Sequence, residues 1–365
     1  MKNEDRAKSY SKQKHRLGIL YIFITPLILT LLTATGLSVR IRYLTSSLTS
    51  NEYLNLLVFS IIIAAIYYIL TLPLNYYSTF LLEKKFLLSN QTFKDWVVRH
   101  IKYLLVVSGV GLPFVLSLYI PLKYSPYYWW FFTWCIWFFL NIILTKIFPL
   151  AIVPIFYKYS PIENLSLKDR LIEIAKRAGF NPKGVYQIDI SRDTKKANAA
   201  LLGLGRQKRI VLCDTLLNNF KEEEIISVVA HELGHHRKQH TIKLILFEGL
   251  LSIFTFFMTY QILVFFLGLS SYAFESLVTI YLIMSIIGIF LLPIQNAFSR
   301  RLEREADRFA LMTTQDKRSF VSMMRRLAEQ NLSDVNPGRF YEIMLYTHPP
   351  ISRRINFAES FKGIS

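Results

Sequence analysis

Two histidines and a glutamate in the stretch "VVAHELGHHRKQH" have the spacing that metal-dependent hydrolysis requires. His231 and His235 are four residues apart, and residues four apart on a helix lie one above the other on the same face. Their ring nitrogens can therefore hold one cation, and neutral imidazoles favour zinc. Glu232 lies next to the first histidine, where it can take a proton from a water at the metal. The motif predicts a zinc site that activates water.

A catalytic zinc keeps three protein ligands and one open position, and the stretch "FSRRLEREADRFA" supplies carboxylates for the third. Glu303 and Asp307 are four apart and share a helix face, whereas Glu305 points elsewhere. We assign Glu303 to the metal and Asp307 to the N–H of a ligand histidine, which such carboxylates orient. The alternative is a solvated helix held by ion pairs, because arginines are interleaved with these acids.

Three further histidines have weaker patterns. His236 follows a ligand directly and so faces away from the metal, and His240 fits an interfacial or supporting role, so neither is assigned to the metal. His348 in "THPPISRRI" stands beside two prolines that stiffen the chain. A fixed imidazole there could stabilise the oxyanion of a tetrahedral intermediate. From the residues alone, an ordinary turn histidine is an equal alternative.

The elements that must position these residues are mainly helices in a membrane. The chain has 365 residues, 52% hydrophobic and 15% aromatic, with more unbroken apolar sequence than a soluble domain needs. Six runs approach or exceed the roughly 20 residues that cross a bilayer. The first is predicted to be a retained span rather than a signal peptide, because it is long and lacks a clear cleavage site. The runs are Leu17–Val39, Leu56–Leu82, Tyr103–Leu122, Tyr128–Tyr157, Ile242–Leu269 and Ser276–Phe298.

The net charge of +18 is interpreted as membrane topology and contact with anionic lipid, not as nucleic-acid binding. Lys and Arg are concentrated before the first run and in the loop after the second, and short loops rich in them remain cytoplasmic. Both termini and the active site are then cytoplasmic. The predicted organisation is a basic N-terminus (1–16), a four-helix membrane region (17–157), a metalloprotease segment (158–241), a transmembrane hairpin (242–298) and a cytoplasmic segment with the third ligand and the HPP motif (299–365).

A small β element precedes the metal helix. The stretch "LSLKDRLIEIAKRAGF" predicts an amphipathic helix, and "GVYQIDI" predicts a strand. The stretch "KANAALLGLGRQKRIVLCD" predicts two short strands around Gly203 and Gly205. Asn219 and Glu222 are spaced like a capping box at the start of the metal helix.

The motifs "HELGHHRKQH", "SRRLEREAD" and "HPPISRRI", in this order with two spans between the first and second, resemble the type I CAAX prenyl proteases. That family consists of integral-membrane zinc metalloproteases that mature farnesylated peptides in eukaryotes. The likeness extends through "LPLNYYSTFLLEKKFLLSNQTFKDW" and "KANAALLGLGRQKRIVLCDTLL", so it covers roughly Leu72 to Ile355.

The resemblance implies one zinc ion per chain and a role for each matching residue. Asn198 and Ala199 match the family's Asn-Ala on a strand beside the cleft, where a substrate backbone can add as an extra strand. Arg354 matches an arginine that braces the site, and His348 would lie near the scissile carbonyl. The remaining matches are His231, His235 and Glu303 as zinc ligands, Glu232 as general base and Asp307 as support for a ligand histidine.

The chain also departs from the family pattern. "SRDTKKANAA" replaces a serine- and histidine-rich approach to Asn-Ala, His236 replaces a usual tryptophan, and six spans replace the seven around the family's water-filled chamber. The shorter chain favours a bacterial plasma-membrane protein. Its substrates would be membrane-associated or lipidated peptides, and turnover of membrane proteins is as compatible with the sequence as prenyl-peptide cleavage.

Three other functions fit the sequence less well. An intramembrane metalloprotease would place HExxH inside a span, but "KEEEIISVVA" precedes the motif here. A zinc transporter would keep ionisable ligands near the bilayer midplane, where this sequence offers little besides Glu248. A catalytically idle scaffold would have no need of Glu232.

Overall fold

Six helical stretches of the described chain are long and apolar enough to cross a membrane. The computed structural model describes residues 3–203, 208–268 and 274–362. The six stretches are Asp5–Ala34, Glu52–Lys85, Phe93–Tyr124, Trp129–Ile147, His240–Phe266 and Ser276–Thr314. The prediction of about six spans is confirmed, although the predicted end of the fifth, Leu269, lies outside the described residues. Exposed side chains such as Leu250 and Phe290 give these helices an apolar outer face, which suits lipid.

Within the described residues the helices are mostly continuous, with three short π-helical turns at Tyr77–Leu81, Phe148–Ile152 and Ile262–Phe266. The α-helices are α1 (Asn3–Ala34), α2 (Leu37–Leu48), α3 (Glu52–Tyr76), α4 (Leu82–Lys85), α5 (Phe93–Tyr124), α6 (Trp129–Ile147), α7 (Val153–Phe156), α8 (Leu165–Arg177), α9 (Asp214–Asn219), α10 (Glu222–Arg237), α11 (His240–Gln261), α12 (Ser276–Thr314), α13 (Lys317–Asn331), α14 (Arg339–Leu345) and α15 (Ile351–Ser360).

In the part of the chain that the structure describes, four short strands form one sheet next to the membrane helices. They are β1 (Tyr159–Pro161), β2 (Gly184–Ile188), β3 (Ala199–Leu202) and β4 (Arg209–Cys213). Their order is β1-β2-β4-β3, with β2 parallel to β4 and the other pairs antiparallel. The two predicted strands flanking Gly203 are β3 and β4, whereas Gly205 lies outside the described residues. β3 is therefore an edge strand of the sheet.

The sheet, α8 and α10 share one hydrophobic core. Leu167 and Leu171 of α8 are buried as the amphipathic pattern predicts, and they belong to the same cluster as Ile210 of β4 and Leu233 of α10. The predicted cap at Asn219 is wrong, because that residue ends α9 and the chain then becomes extended. At the actual start of α10, the Lys221 amide donates to Glu224 Oε2 at 2.9 Å. The core thus fixes one face of α10 and leaves its histidine face for α12.

The backbones of α10 and α12 approach closely at Gly234. A Cβ atom at this position would lie 3.0 Å from Ala306 Cα and 3.1 Å from Ala306 O, which is too close for an ordinary contact. Glycine at this position therefore permits the contact. This close approach of the two helices brings the histidines of α10 against the acidic residues in the last turns of α12.

Candidate metal centre

The structure brings His231, His235 and Glu303 together at the crossing of α10 and α12. The Nε2 atoms of the two histidines are 3.1 Å apart. Glu303 Oε2 lies 3.2 Å from His231 Nε2, and Glu303 Oε1 lies 3.3 Å from His235 Nε2. Two ring nitrogens and a carboxylate thus converge on one point, and the i,i+4 spacing of the two histidines places both rings on the face of α10 that meets α12.

The chemistry of these groups fits a bound cation. Each of the three residues offers one ligand atom, and all three atoms lie within 4.8 Å of one another. Glu303 is buried, and its Oε2 atom has no hydrogen-bond partner among the described residues. A buried carboxylate oxygen without a partner is costly, and a metal ion would satisfy it. Two imidazoles and one carboxylate are also a ligand set that catalytic zinc sites use.

Asp307 and Arg354 support His231 on the Nδ1 side of its ring, away from the point where the three ligand atoms converge. Asp307 Oδ1 lies 2.9 Å from His231 Nδ1, and Arg354 donates to Asp307 through Nε at 2.8 Å and Nη2 at 2.5 Å. Burial by itself would lower the pKa of His231, but the neighbouring Asp307 and Glu303 carboxylates favour the protonated ring, outweigh burial and raise the pKa to about 9. The Asp307 contact requires a proton on Nδ1, so Nε2 faces the cation point.

Glu232 follows His231 on α10 and is partly buried. Burial raises the pKa of its carboxyl above the ordinary value for glutamate, because desolvation disfavours the charged form. A carboxylate with a raised pKa beside a cation point is suited to accepting a proton.

His348 reaches the same point from the loop between α14 and α15. Its Nε2 atom lies 3.2 Å from Glu303 Oε1, and its side chain is 57% exposed. Two polar residues of α12 hold the preceding segment: Arg300 donates to the carbonyls of Glu342 and Tyr346 at 2.9 and 2.7 Å. Asn296 donates to the carbonyls of Ile343 and Met344 at 3.1 and 2.9 Å.

The sequence does not predict that Asn296 and Arg300 hold the segment before His348. Their spacing shows only that they share one helix face with Glu303 and Asp307. Their backbone partners, however, are more than 40 residues away, so the contacts could not be inferred.

Asn198 and Ala199 stand at the start of the edge strand β3, which packs against α10. Asn198 is exposed and Ala199 is buried. The Asn198 carbonyl accepts from the Cys213 amide at 3.1 Å, so the strand is anchored on its β4 side. His236, as expected, faces away from the cation point, with its ring 4.9 Å from that of Phe180.

Comparison with known proteins agrees with this geometry. The family model described as Peptidase family M48 matches residues 161–362, and the model for the CAAX prenyl protease N-terminal region with five membrane helices matches residues 2–158. A Bacillus subtilis protein named uncharacterized metalloprotease YhfN is 26% identical, covering 97% of this chain and 84% of its own. CAAX prenyl protease 1 of Saccharomyces cerevisiae is 33% identical, covering 78% of this chain and 67% of its own.

A solved structure shows the same fold. The crystal structure of S. mikatae Ste24p matches with a TM-score of 0.84 and 26% identity, covering 97% of this chain and 88% of that one. The family models, the relatives and this structure agree over nearly the whole chain. The chain therefore belongs to peptidase family M48 and is a multi-pass membrane metalloendopeptidase of the CAAX prenyl protease type.

Proposed function

We propose that the chain is a zinc-dependent endopeptidase that hydrolyses peptide bonds of membrane-associated or lipidated proteins and peptides. The observation that carries the proposal is the convergence of His231, His235 and Glu303, with Glu303 Oε2 buried and without a hydrogen-bond partner among the described residues. These three side chains hold the zinc. When bound, zinc polarises the substrate carbonyl and lowers the pKa of water towards about 7.

Each neighbouring residue has a defined task in hydrolysis. Glu232 accepts the proton of the attacking water and returns it to the leaving amine, as its raised pKa suits. His348 Nε2, 3.2 Å from Glu303 Oε1, is close enough to donate to the oxyanion that develops on the scissile carbonyl. Asp307 and Arg354 keep His231 in the tautomer that directs Nε2 inwards.

The substrate backbone adds to the sheet beside Asn198 and Ala199. Among the described residues, β3 pairs with β4 alone, so one side of its backbone is available for an extended peptide. Added strands bind through main-chain hydrogen bonds and need little side-chain specificity. This mode suits substrates that are selected by membrane attachment more than by sequence.

A polar pair inside the spans supports catalysis at a membrane-embedded site. Gln295 of α12 donates to Glu248 of α11 at 3.0 Å. Gln295 stands two turns before Glu303, and Glu248 two turns after His240, so the pair extends the polar faces that lead to the metal. Ionisable side chains within spans face protein or water, and we propose that a water-filled interior supplies the nucleophile.

We further propose that both termini and the active site face the cytoplasm of a bacterial plasma membrane. The basic N-terminal stretch and the basic loop after the second span support this orientation. Contacts with anionic lipid follow from the same charges. The described helix α10 is not among those long and apolar enough to cross a membrane, which argues against cleavage within transmembrane segments.

Glu232→Gln is the direct test of the mechanism. We expect a loss of peptidase activity of about 10²–10⁴-fold with zinc content unchanged, because Gln keeps the shape of the carboxylate but cannot accept the proton. Activity would be measured on a farnesylated peptide and on an unmodified peptide of the same sequence in detergent, with zinc measured by atomic absorption. Full activity of Glu232→Gln would contradict the mechanism, and equal cleavage of the two peptides would contradict selection by the lipid.

A further inference from the structure

A second chain of polar contacts begins at His235, on the side of its ring opposite the cation point. His235 Nδ1 lies 2.9 Å from His240 Nδ1, and His240 Nε2 lies 3.3 Å from Glu305 Oε2. Lys243 Nζ is 3.2 Å from the same Glu305 oxygen, and Arg301 Nε is 3.6 Å from Oε1. We propose that His240 and Glu305 are positioning residues that hold His235 in its metal-binding tautomer.

A break in the helix makes the contact possible. Residues five apart on a continuous helix do not share a face, so His240 could not meet His235 if α10 continued. Instead α10 ends at Arg237, and Gln239 takes the left-handed conformation with φ 55° before α11 begins at His240. This conformation costs free energy for a residue other than glycine and is concentrated at functional sites. Here it turns the His240 ring back onto His235.

The direction of the hydrogen bonds follows from the carboxylate at the end. Glu305, held between Lys243 and Arg301, accepts, so the proton of a neutral His240 lies on Nε2. His240 Nδ1 is then an acceptor, and His235 must donate from Nδ1. The lone pair of His235 Nε2 is left facing the cation point. The opposite arrangement would place a proton on His235 Nε2 and exclude a metal ion.

The burial of His240 supports this assignment. Its residue exposure is 1%, so both ring nitrogens need partners inside the protein, and His235 and Glu305 are those partners. The arrangement parallels the one at His231, which Asp307 supports directly. One helix, α12, thus supplies the supporting carboxylate for both histidine ligands, directly for His231 and through His240 for His235.

Four variants of the full-length protein separate the two contacts. His240→Asn places its amide oxygen near the position of Nδ1 and keeps the acceptor for His235, whereas His240→Gln can reach Glu305 but loses that acceptor. Glu305→Gln keeps the shape and removes the charge that fixes the proton. His236→Gln is the matched control, because the neighbouring imidazole faces Phe180 instead of the metal ligands.

Zinc affinity would be measured on each purified variant by competition with a chromophoric chelator, together with the visible spectrum of the cobalt-substituted protein. Loss of supporting contacts to a ligand histidine lowers metal affinity by about 10–100-fold. We expect that loss in His240→Gln, a smaller loss in Glu305→Gln, and near wild-type affinity in His240→Asn and His236→Gln. A shifted cobalt spectrum should accompany the weakened variants.

The inference rests on the metal site of the proposed function, and the measurements distinguish the failure of each. If the wild-type protein binds no zinc, the proposed function fails with it. If the wild-type binds zinc and His240→Gln binds it equally tightly with the same cobalt spectrum, only the role of His240 is overturned. A purely structural His240 would lower the unfolding temperature of the metal-free variants while their zinc affinity stays at the wild-type value.

Discussion

In the proposed zinc site, a proton on His231 competes with the metal ion. The raised pKa of about 9 means that the folded, metal-free protein carries this proton at neutral pH, and metal binding must release it. We expect the apparent zinc affinity to rise with pH, by about tenfold per unit, until the pH reaches the pKa of His231. Calorimetry at pH 7 in buffers of different ionisation enthalpy would count the released protons.

Asp307→Asn provides the control for this prediction. Without the carboxylate at 2.9 Å, the pKa of His231 should fall, so fewer protons are released at pH 7, while zinc binds about 10–100-fold more weakly because the ligand has lost its support. Zinc affinity that does not change between pH 6 and 9 in the wild-type protein would contradict the prediction.

Residue spacing is sufficient to propose the ligands but not all of the residues that support them. The pairs His231–His235 and Glu303–Asp307 each lie four apart, so one helix face can be read directly from the sequence. His240 could not be placed in the same way, because its position depends on the left-handed Gln239. A glycine would have indicated such a break, whereas glutamine gives no local signal.

The crossing of α10 and α12 sets the distance between the proposed metal ligands. Gly234→Ala would add a Cβ atom 3.0–3.1 Å from Ala306 backbone atoms, and a backbone cannot move aside as a flexible side chain can. We expect the helices to separate, with a stability loss of about 1–3 kcal/mol and weaker zinc binding. Thermal unfolding and chelator competition would measure both effects.

Gly288→Ala is the matched control for the same substitution in a helix. A Cβ atom at Gly288 meets nothing within 4 Å, and alanine has the better helix propensity, so zinc affinity should be unchanged and stability equal or slightly higher. If Gly234→Ala matched Gly288→Ala in both stability and zinc affinity, the close backbone contact at Gly234 would not be what positions the two helices.

Element positions were easier to predict than element ends. The apolar runs identify the spans because lipid requires about 20 apolar residues, but α12 continues from the predicted end at Phe298 to Thr314. Its last turns are polar and carry Glu303 and Asp307. Hydropathy does not predict this continuation because the extra turns are polar. They remain helical because they pack against α10 and α13.

An ion cluster around the buried Glu83 joins the membrane helices to the segment that enters β3. Glu83 of α4 is buried, and its carboxylate contacts Lys14 Nζ of α1 at 2.8 Å and Lys196 Nζ at 2.9 Å. Tyr10 of α1 donates to Glu83 at 2.7 Å. Lys196 lies two residues before Asn198, so this cluster connects α1 and α4 to the proposed substrate strand.

The cluster predicts unequal effects of removing its two sides. Glu83→Gln leaves two lysines without their carboxylate, and burial already lowers the pKa of Lys196 while pairing with Glu83 opposes that shift. Lys196→Met leaves Glu83 paired with Lys14 and Tyr10. We therefore expect Glu83→Gln to cost more stability, about 1–3 kcal/mol once the partial exposure of both lysines is allowed for.

The double variant Glu83→Gln with Lys196→Met completes the test. Because methionine removes the charge that Glu83→Gln would leave unpaired, we expect the double variant to lose less stability than the sum of the two single variants.

Lys94→Met, at an exposed position, controls for the loss of one lysine. Thermal unfolding in detergent would measure the stability of all four variants. Cleavage of a peptide that binds beside β3 should fall more in Glu83→Gln than in Lys94→Met. Equal stability of Glu83→Gln and Lys94→Met would show that the cluster does not hold the β3 segment to the membrane helices.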